Sequence, residues 1–143
     1  MAEGTPCFPR SALRRRILLV EDDEDTREAL ALSLGDALDA EVDTAADGAA
    51  ALARLQEGYA YALVITDERM PRMRGSELLA WLAARQPHVG RVLMTAYHDG
   101  PEIARAARAD AFLRKPFDSL ALRSLLAPLL EPRRSRGAEG PLR

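Results

Sequence analysis

The sequence predicts an α/β fold, a doubly wound five-stranded parallel sheet with helices on both faces. Four short apolar runs, bounded by polar or turn residues, are too short for helices and carry almost no polar alternation, as strands covered on both faces require. Segments with helical spacing separate them. Strand and helix alternate five times within about 115 residues, and the right-handed crossover rule leaves few topologies for such a pattern.

In chain order, the first strand is Ile17–Val20. The first helix, Thr26–Leu38, places Leu30, Leu34 and Leu38 four apart, and Asp25 with Glu28 resembles a capping box with Asp in the Ser/Thr role. Glu41–Ala45 alternates polar and apolar residues, which suits a less buried strand near a sheet edge. A second helix, Gly48–Gly58, carries Leu52 and Leu55 and leads to the third strand, Tyr61–Thr66. The third helix, Ser76–Gln86, carries Leu78, Leu79 and Leu82 with Trp81 beside them, and stops before Pro87. Arg91–Thr95 is the fourth strand, followed by an Ala-rich helix over Pro101–Ala109. The fifth strand is Ala111–Arg114, and the fifth helix, Asp118–Leu130, should end or bend at Pro128.

The chain of 143 residues, 48% apolar, suits one domain with one core. No apolar run approaches the roughly 20 residues of a membrane helix, and Met1–Arg16 lacks the apolar region of a secretory signal. Cys7 is the only cysteine, which fits a reducing cytoplasm. Residues 17–130 hold 12 basic and 19 acidic side chains, whereas the two ends are basic. An acidic core argues against direct DNA binding. The expected organisation is a domain over 16–130 between flexible tails at 1–15 and 131–143. A weak anionic contact through Arg14, Arg15, Arg16 or Arg133, Arg134, Arg136 is the alternative reading of those tails.

In a sheet of this kind the functional crevice lies at the carboxyl ends of the strands. Glu21 and Asp22 follow the first strand, Asp67 follows the third, Thr95 ends the fourth, and Lys115 follows the fifth. Three carboxylates against one ammonium leave an excess of −2, which a divalent cation would remove, and the hard oxygen donors favour Mg²⁺. Mg²⁺ commonly works with phosphate, so the site is expected to act on a phosphoryl group. Acidic residues also suit a helix start through its dipole, and that reading is accepted for Asp23, Glu24 and Asp25, though it does not explain Asp67. Lys115 is the sole lysine among 20 basic residues, so a compact charge on a flexible stem is expected to matter there. Pro116 after it could be cis and aim the lysine over the site. Thr95 reads either as a β-branched strand residue or as a phosphoryl donor. Phe112 and Trp81 read as core or half-buried aromatics, and His88 and His98 as surface residues.

Ile17–Asp23, Thr66–Gly75 with its Asp67-Glu68-Arg69-Met70-Pro71 core, Leu93–Ala96 and Phe112–Phe117 together resemble the receiver domain of two-component response regulators, over about residues 15–130. The resemblance implies a flavodoxin-like strand order 2-1-3-4-5. It implies Asp67 as phosphoacceptor for a sensor histidine kinase or histidine phosphotransfer protein, with Asp22 a direct Mg²⁺ ligand, Glu21 acting through water and Arg69 offering its backbone carbonyl. Thr95 and Lys115 would contact the phosphoryl oxygens, Phe112 would be the switch residue, and the fourth helix, fifth strand and fifth helix would meet a downstream protein. The chain is expected to be a single-domain cytoplasmic regulator, not a classical enzyme, acting as a monomer or a phosphorylation-dependent dimer. Arg69 and Tyr97 occupy positions that influence phosphoryl lifetime in the family. Arg108, before Ala109, departs from a common glycine, so that turn is expected to differ. An unphosphorylated scaffold and an Mg²⁺-dependent phosphohydrolase are the rival readings; Arg69, where such hydrolases place a second Asp, argues against the latter.

Overall fold

A computed structural model describes residues 15–131. It contains β1 (Arg16–Val20), α1 (Glu24–Leu38), β2 (Glu41–Ala45), α2 (Gly48–Gln56), β3 (Leu63–Asp67), α3 (Gly75–Arg85), β4 (Gly90–Thr95), α4 (Gly100–Ala106), β5 (Ala111–Arg114), α5 (Ser119–Leu126) and a 3-10 turn over Ala127–Leu130. The strands form one sheet in the order β2-β1-β3-β4-β5, and every neighbouring pair is parallel. Apart from Arg15 and Glu131, the expected tails lie outside the described residues.

Alternation along each strand sends side chains to two apolar layers. Leu18, Val20, Val64 and Leu93 pack with Leu55 of α2, Leu78 and Leu82 of α3 and Ala104 of α4. Ile17, Leu19, Ile65, Val92 and Met94 pack with Leu34 of α1 and Leu122 and Leu126 of α5. The central strands are buried on both sides, which is why they read as unbroken apolar runs. β2, at the edge, is more exposed, with only Ala45 buried.

Several boundaries differ from the sequence reading, each for a local reason. The α1 cap is Asp23 rather than Asp25, because the Asp23 carboxylate accepts from the Thr26 amide at 3.0 Å and from its hydroxyl at 2.6 Å. β3 starts at Leu63 and includes Asp67; Tyr61 instead turns its hydroxyl to Asp43, donating at 2.7 Å. α2 closes at Gln56 and α4 at Ala106. α5 stops at Leu126 and tightens into the 3-10 turn that contains Pro128, while Leu130 still packs into the core. Arg16 is committed to Glu41 and Asp43, each at 3.2 Å, rather than being held out for an anion.

The turn before β5 places Arg108 at φ 65°, a left-handed conformation that a side chain disfavours. It is retained by the ladder around it: the Arg108 carbonyl accepts from Arg91 Nε at 2.8 Å, and the Ala109 amide reaches Ala104 O at 2.9 Å. Relief of the left-handed penalty, less the greater unfolded freedom of glycine, should make Arg108→Gly about 0.5–1 kcal/mol more stable, a rise of about 2–5 °C in Tm by thermal denaturation.

Candidate functional site

A parallel sheet brings all its carboxyl ends to one edge. Glu21 and Asp22 leave β1, Asp67 closes the adjacent β3, Thr95 closes β4, and Lys115 follows β5. The register sets Thr95 one residue beyond Met94, the partner of Asp67. The Lys115 amide extends the β4–β5 ladder by donating to Thr95 O at 3.1 Å, and the Lys115–Pro116 peptide is cis.

The Lys115 side chain turns back across the edge. Its Nζ lies 3.1 Å from Glu21 Oε1 and 3.4 Å from Asp67 Oδ1. Glu21 is buried, and its second oxygen accepts from the Asp23 amide at 3.2 Å. Its backbone carbonyl accepts from Arg27 at 2.9 Å. Carboxylate oxygens of Glu21, Asp22 and Asp67 all come within 4.8 Å of one another. At that spacing, and an effective dielectric of 20, each pair of charges repels by roughly 3 kcal/mol. One ammonium cannot offset three carboxylates, so the cluster has the donor chemistry of a hard divalent cation site.

The titration behaviour follows. Burial raises the Asp67 carboxyl above its ordinary value; the Lys115 charge opposes this and the Glu21 charge adds to it. Burial alone would lower Lys115, but the Asp67 and Glu21 carboxylates hold it above the ordinary lysine value, so it remains charged.

The β3–α3 loop forms the wall beside Asp22. Asp22, Arg69, Met70, Pro71 and Arg74 line a cleft of about 370 Å³. The Arg69 guanidinium stacks on the Tyr97 ring at 4.1 Å, joining this loop to the β4–α4 loop. Thr95 is buried; its hydroxyl accepts from the Tyr97 amide at 3.3 Å. A Cβ on Gly100 would come within 2.5 Å of the Phe112 ring and 2.7 Å of the Thr95 methyl, so ring and methyl converge on α4 where only glycine fits. Likewise a Cβ on Gly75 would lie 2.1 Å from Asp67 O, so the first turn of α3 rests directly on the backbone of Asp67.

The structure therefore brings together Glu21, Asp22, Asp67 and Lys115, with Thr95 at the same edge, Arg69 on the adjoining wall and Phe112 behind Thr95. His88 and His98 are exposed, and Trp81 is half-buried against the core. Sequence reasoning missed Glu68, a buried carboxylate, and Arg114, which donates to Tyr97 O at 2.9 Å and lies 5.2 Å from the Phe112 ring centre. An acidic or basic residue at a strand end carries no mark in sequence that it will be engaged this way.

The family model of the response regulator receiver domain matches residues 17–127. The chain belongs to that family. Receiver domains are signalling modules of two-component systems. Response regulator protein FleR of Pseudomonas aeruginosa is 42% identical over 116 residues, covering 78% of this chain and 24% of FleR. Regulatory protein VanRB of Enterococcus faecalis is 39% identical over 117 residues, covering 80% of this chain and 52% of VanRB. The receiver domain thus spans from about a quarter to about half of these relatives. Among solved structures, response regulator TrrA of Thermotoga maritima, in complex with Mg²⁺ and BeF, superposes with TM-score 0.74 at 33% identity, over 81% of this chain and 99% of that one. Chemotaxis protein CheY4 of Vibrio cholerae gives 0.72 at 29% identity, over 82% and 99%.

Because the receiver fold raises the Asp67 carboxyl, its ionised form weakens the fold. That cost is absent below the unfolded value near 3.8 and grows as pH rises through the folded one. Without divalent ions at pH 7, Asp67→Asn should therefore melt higher than wild type, and the difference should vanish as pH falls below the unfolded value near 3.8, as read by thermal melts across pH.

Proposed function

We propose that the chain is the phosphoacceptor of a two-component phosphorelay and that Asp67 carries the phosphoryl group. The observation behind this reading is the Lys115 ammonium held between buried Glu21 and Asp67 inside an acidic cluster drawn from separate strand ends. A charge pattern so costly at rest suits a site completed by a cation and an incoming phosphoryl group.

Asp22, Asp67 and the Arg69 backbone carbonyl would hold Mg²⁺ directly, and Glu21 through water. The ion would supply neutralisation of the charge gathering on the transferring phosphoryl oxygens. An Asp67 carboxylate oxygen forms the new O–P bond as the P–N bond to the donor histidine breaks, and the imidazole leaves with the N–P electron pair. The donor is a sensor histidine kinase or a histidine phosphotransfer protein. Replacing a carboxylate by an acyl phosphate adds negative charge and strong acceptor oxygens. Lys115 and Thr95 donate to those oxygens, and the Thr95 hydroxyl proton is available because the Tyr97 amide uses only its acceptor side. As Thr95 shifts, Phe112 loses its methyl neighbour at Gly100 and repacks, altering the face of α4, β5 and α5. Leu120 and Leu125 stand exposed on α5, available to a downstream protein.

The acting unit is a domain over 16–130 in the cytoplasm, monomeric or dimerising on phosphorylation, and it does not bind DNA directly. Among the described residues no helix is long and apolar enough to cross a membrane. The Arg69–Tyr97 stack over the cleft shields the acyl phosphate from water.

Incubation with a small acyl phosphodonor and Mg²⁺, followed by intact mass, should show a gain of about 80 Da that Asp67→Asn abolishes and a chelator prevents. A chain that never gains mass is the unphosphorylated scaffold instead. Steady turnover of small phosphoesters would support the hydrolase. Arg69→Ala and Tyr97→Ala should each shorten the phosphoryl half-life about threefold, the rate equivalent of one lost cation–π contact; unchanged half-lives would remove the shielding role.

A further inference from the structure

Glu68 is one of the few buried charged side chains among the described residues, and nothing in the phosphoryl-transfer scheme uses it. It follows Asp67 directly. A carboxylate so deeply placed has to be matched by donors, because an unmatched one is costly in a dry interior. The donors come from α3. The Ser76 amide donates to Glu68 Oε1 at 2.8 Å and the Ser76 hydroxyl to Oε2 at 3.0 Å, while the Arg74 guanidinium lies 4.0 Å away.

This arrangement answers a defect in α3. A helix start leaves its first amides without partners, and the residue at the cap position normally accepts from them through a side-chain oxygen. The cap position of α3 is Arg74, whose side chain has no acceptor and makes no capping bond. Glu77 reaches back to the Arg74 amide at 2.9 Å, which satisfies only one donor. Glu68 supplies the missing acceptor from the preceding strand end.

The same residue is tied to α3 through its backbone, since the Gly75 amide donates to Glu68 O at 3.1 Å. Gly75 in turn sits against Asp67 O so closely that a Cβ would reach 2.1 Å, and the Thr66 hydroxyl donates to that same oxygen at 2.9 Å. The phosphoacceptor backbone is therefore braced between β3 and the first turn of α3, and the Glu68 carboxylate fastens that turn.

We infer that Glu68 is a positioning residue: by capping α3 from the strand end it holds the backbone of Asp67 in register with Lys115 and Asp22. This rests on Asp67 being the reacting carboxylate, as proposed above. It predicts that the cap can be moved: an acceptor placed at position 74 should do the work of Glu68.

The test uses the full chain with Glu68→Leu, Arg74→Asp and the double variant, reading Tm, Mg²⁺ binding by calorimetry and the rate of mass gain from a small acyl phosphodonor. Glu68→Leu should lower the maximal phosphorylation rate about tenfold and weaken Mg²⁺ binding several-fold, while the phosphodonor concentration for half-maximal rate moves less than about twofold. Adding Arg74→Asp should return rate and Mg²⁺ affinity to within about threefold of wild type. A folded Glu68→Leu variant with wild-type rate and affinity overturns the inference. So does a double variant that regains Tm without regaining either function. Should Glu68→Leu fail to fold, Ser76→Ala deletes only the hydroxyl contact and should lose about two- to threefold in both readouts; no loss there is equally fatal. A wild-type chain that binds Mg²⁺ but takes up no phosphoryl group defeats the phosphoacceptor reading, while the Mg²⁺ arm still decides the role of Glu68.

Discussion

The contact of Lys115 Nζ with Glu21 at 3.1 Å and Asp67 at 3.4 Å joins three strand ends that are far apart in sequence. Its Lys115–Glu21 half spans 94 positions. No local structure can make it. β1, β3 and β5 must all be in place, with β4 between β3 and β5, before the ammonium meets both carboxylates. The site is thus a reporter of the finished sheet. The converse also holds: without Lys115, Glu21 would stand buried without its cation, and removing one partner of a buried ion pair is costly.

That dependence explains why the neighbouring elements are built tightly. Gly75 and Gly100 both lie where a side chain would strike the site, the first against the Asp67 carbonyl and the second against Phe112 and Thr95. Helices α3 and α4 therefore approach the carboxyl edge by their N-terminal turns, with backbone where a side chain would not fit. Close packing of this kind transmits small displacements instead of absorbing them. It also means that the two helix starts are the places where a local defect, such as a missing cap, reaches the chemistry most directly.

The strand order and both layers were legible because central strands covered on two faces leave unbroken apolar runs. Edge strand β2 was legible because it alternates. Boundaries were less so. Leu129 and Leu130 continue the apolar pattern of α5, and only the missing amide of Pro128 distinguishes the 3-10 turn that carries them. Asp23, Glu24 and Asp25 all suit a helix start, and the choice of Asp23 depends on the direction in which the Thr26 amide points. The acidic cluster could be anticipated from the rule that function collects at strand ends, and Lys115 from its being the only lysine. Glu68 could not, because an acidic residue after a strand looks like a solvated charge. Its burial depends on Ser76, eight positions on, and on α3 starting with a residue that cannot cap itself.

Glu68 and Glu21 show two ways in which a carboxylate beside the same pocket is made tolerable. Glu21 is matched by a side-chain cation on a flexible stem and one amide, an arrangement that an incoming charge can redistribute. Glu68 is matched by fixed groups of α3, whose amide cannot leave without unwinding the helix. The first carboxylate is suited to participate in a change of charge and the second to resist it. On the proposed reading, a phosphoryl group arriving at Asp67 would compete for Lys115 and leave the Glu68–Ser76 bonds untouched. Any rearrangement should therefore run toward Thr95, Phe112 and α4, where the Thr95 hydroxyl accepts a long 3.3 Å hydrogen bond and Thr95, Phe112 and Gly100 meet through apolar contacts, and away from the start of α3, where the bonds to Glu68 are charged and short. The direction of such a response would follow from which side of Asp67 is held more firmly.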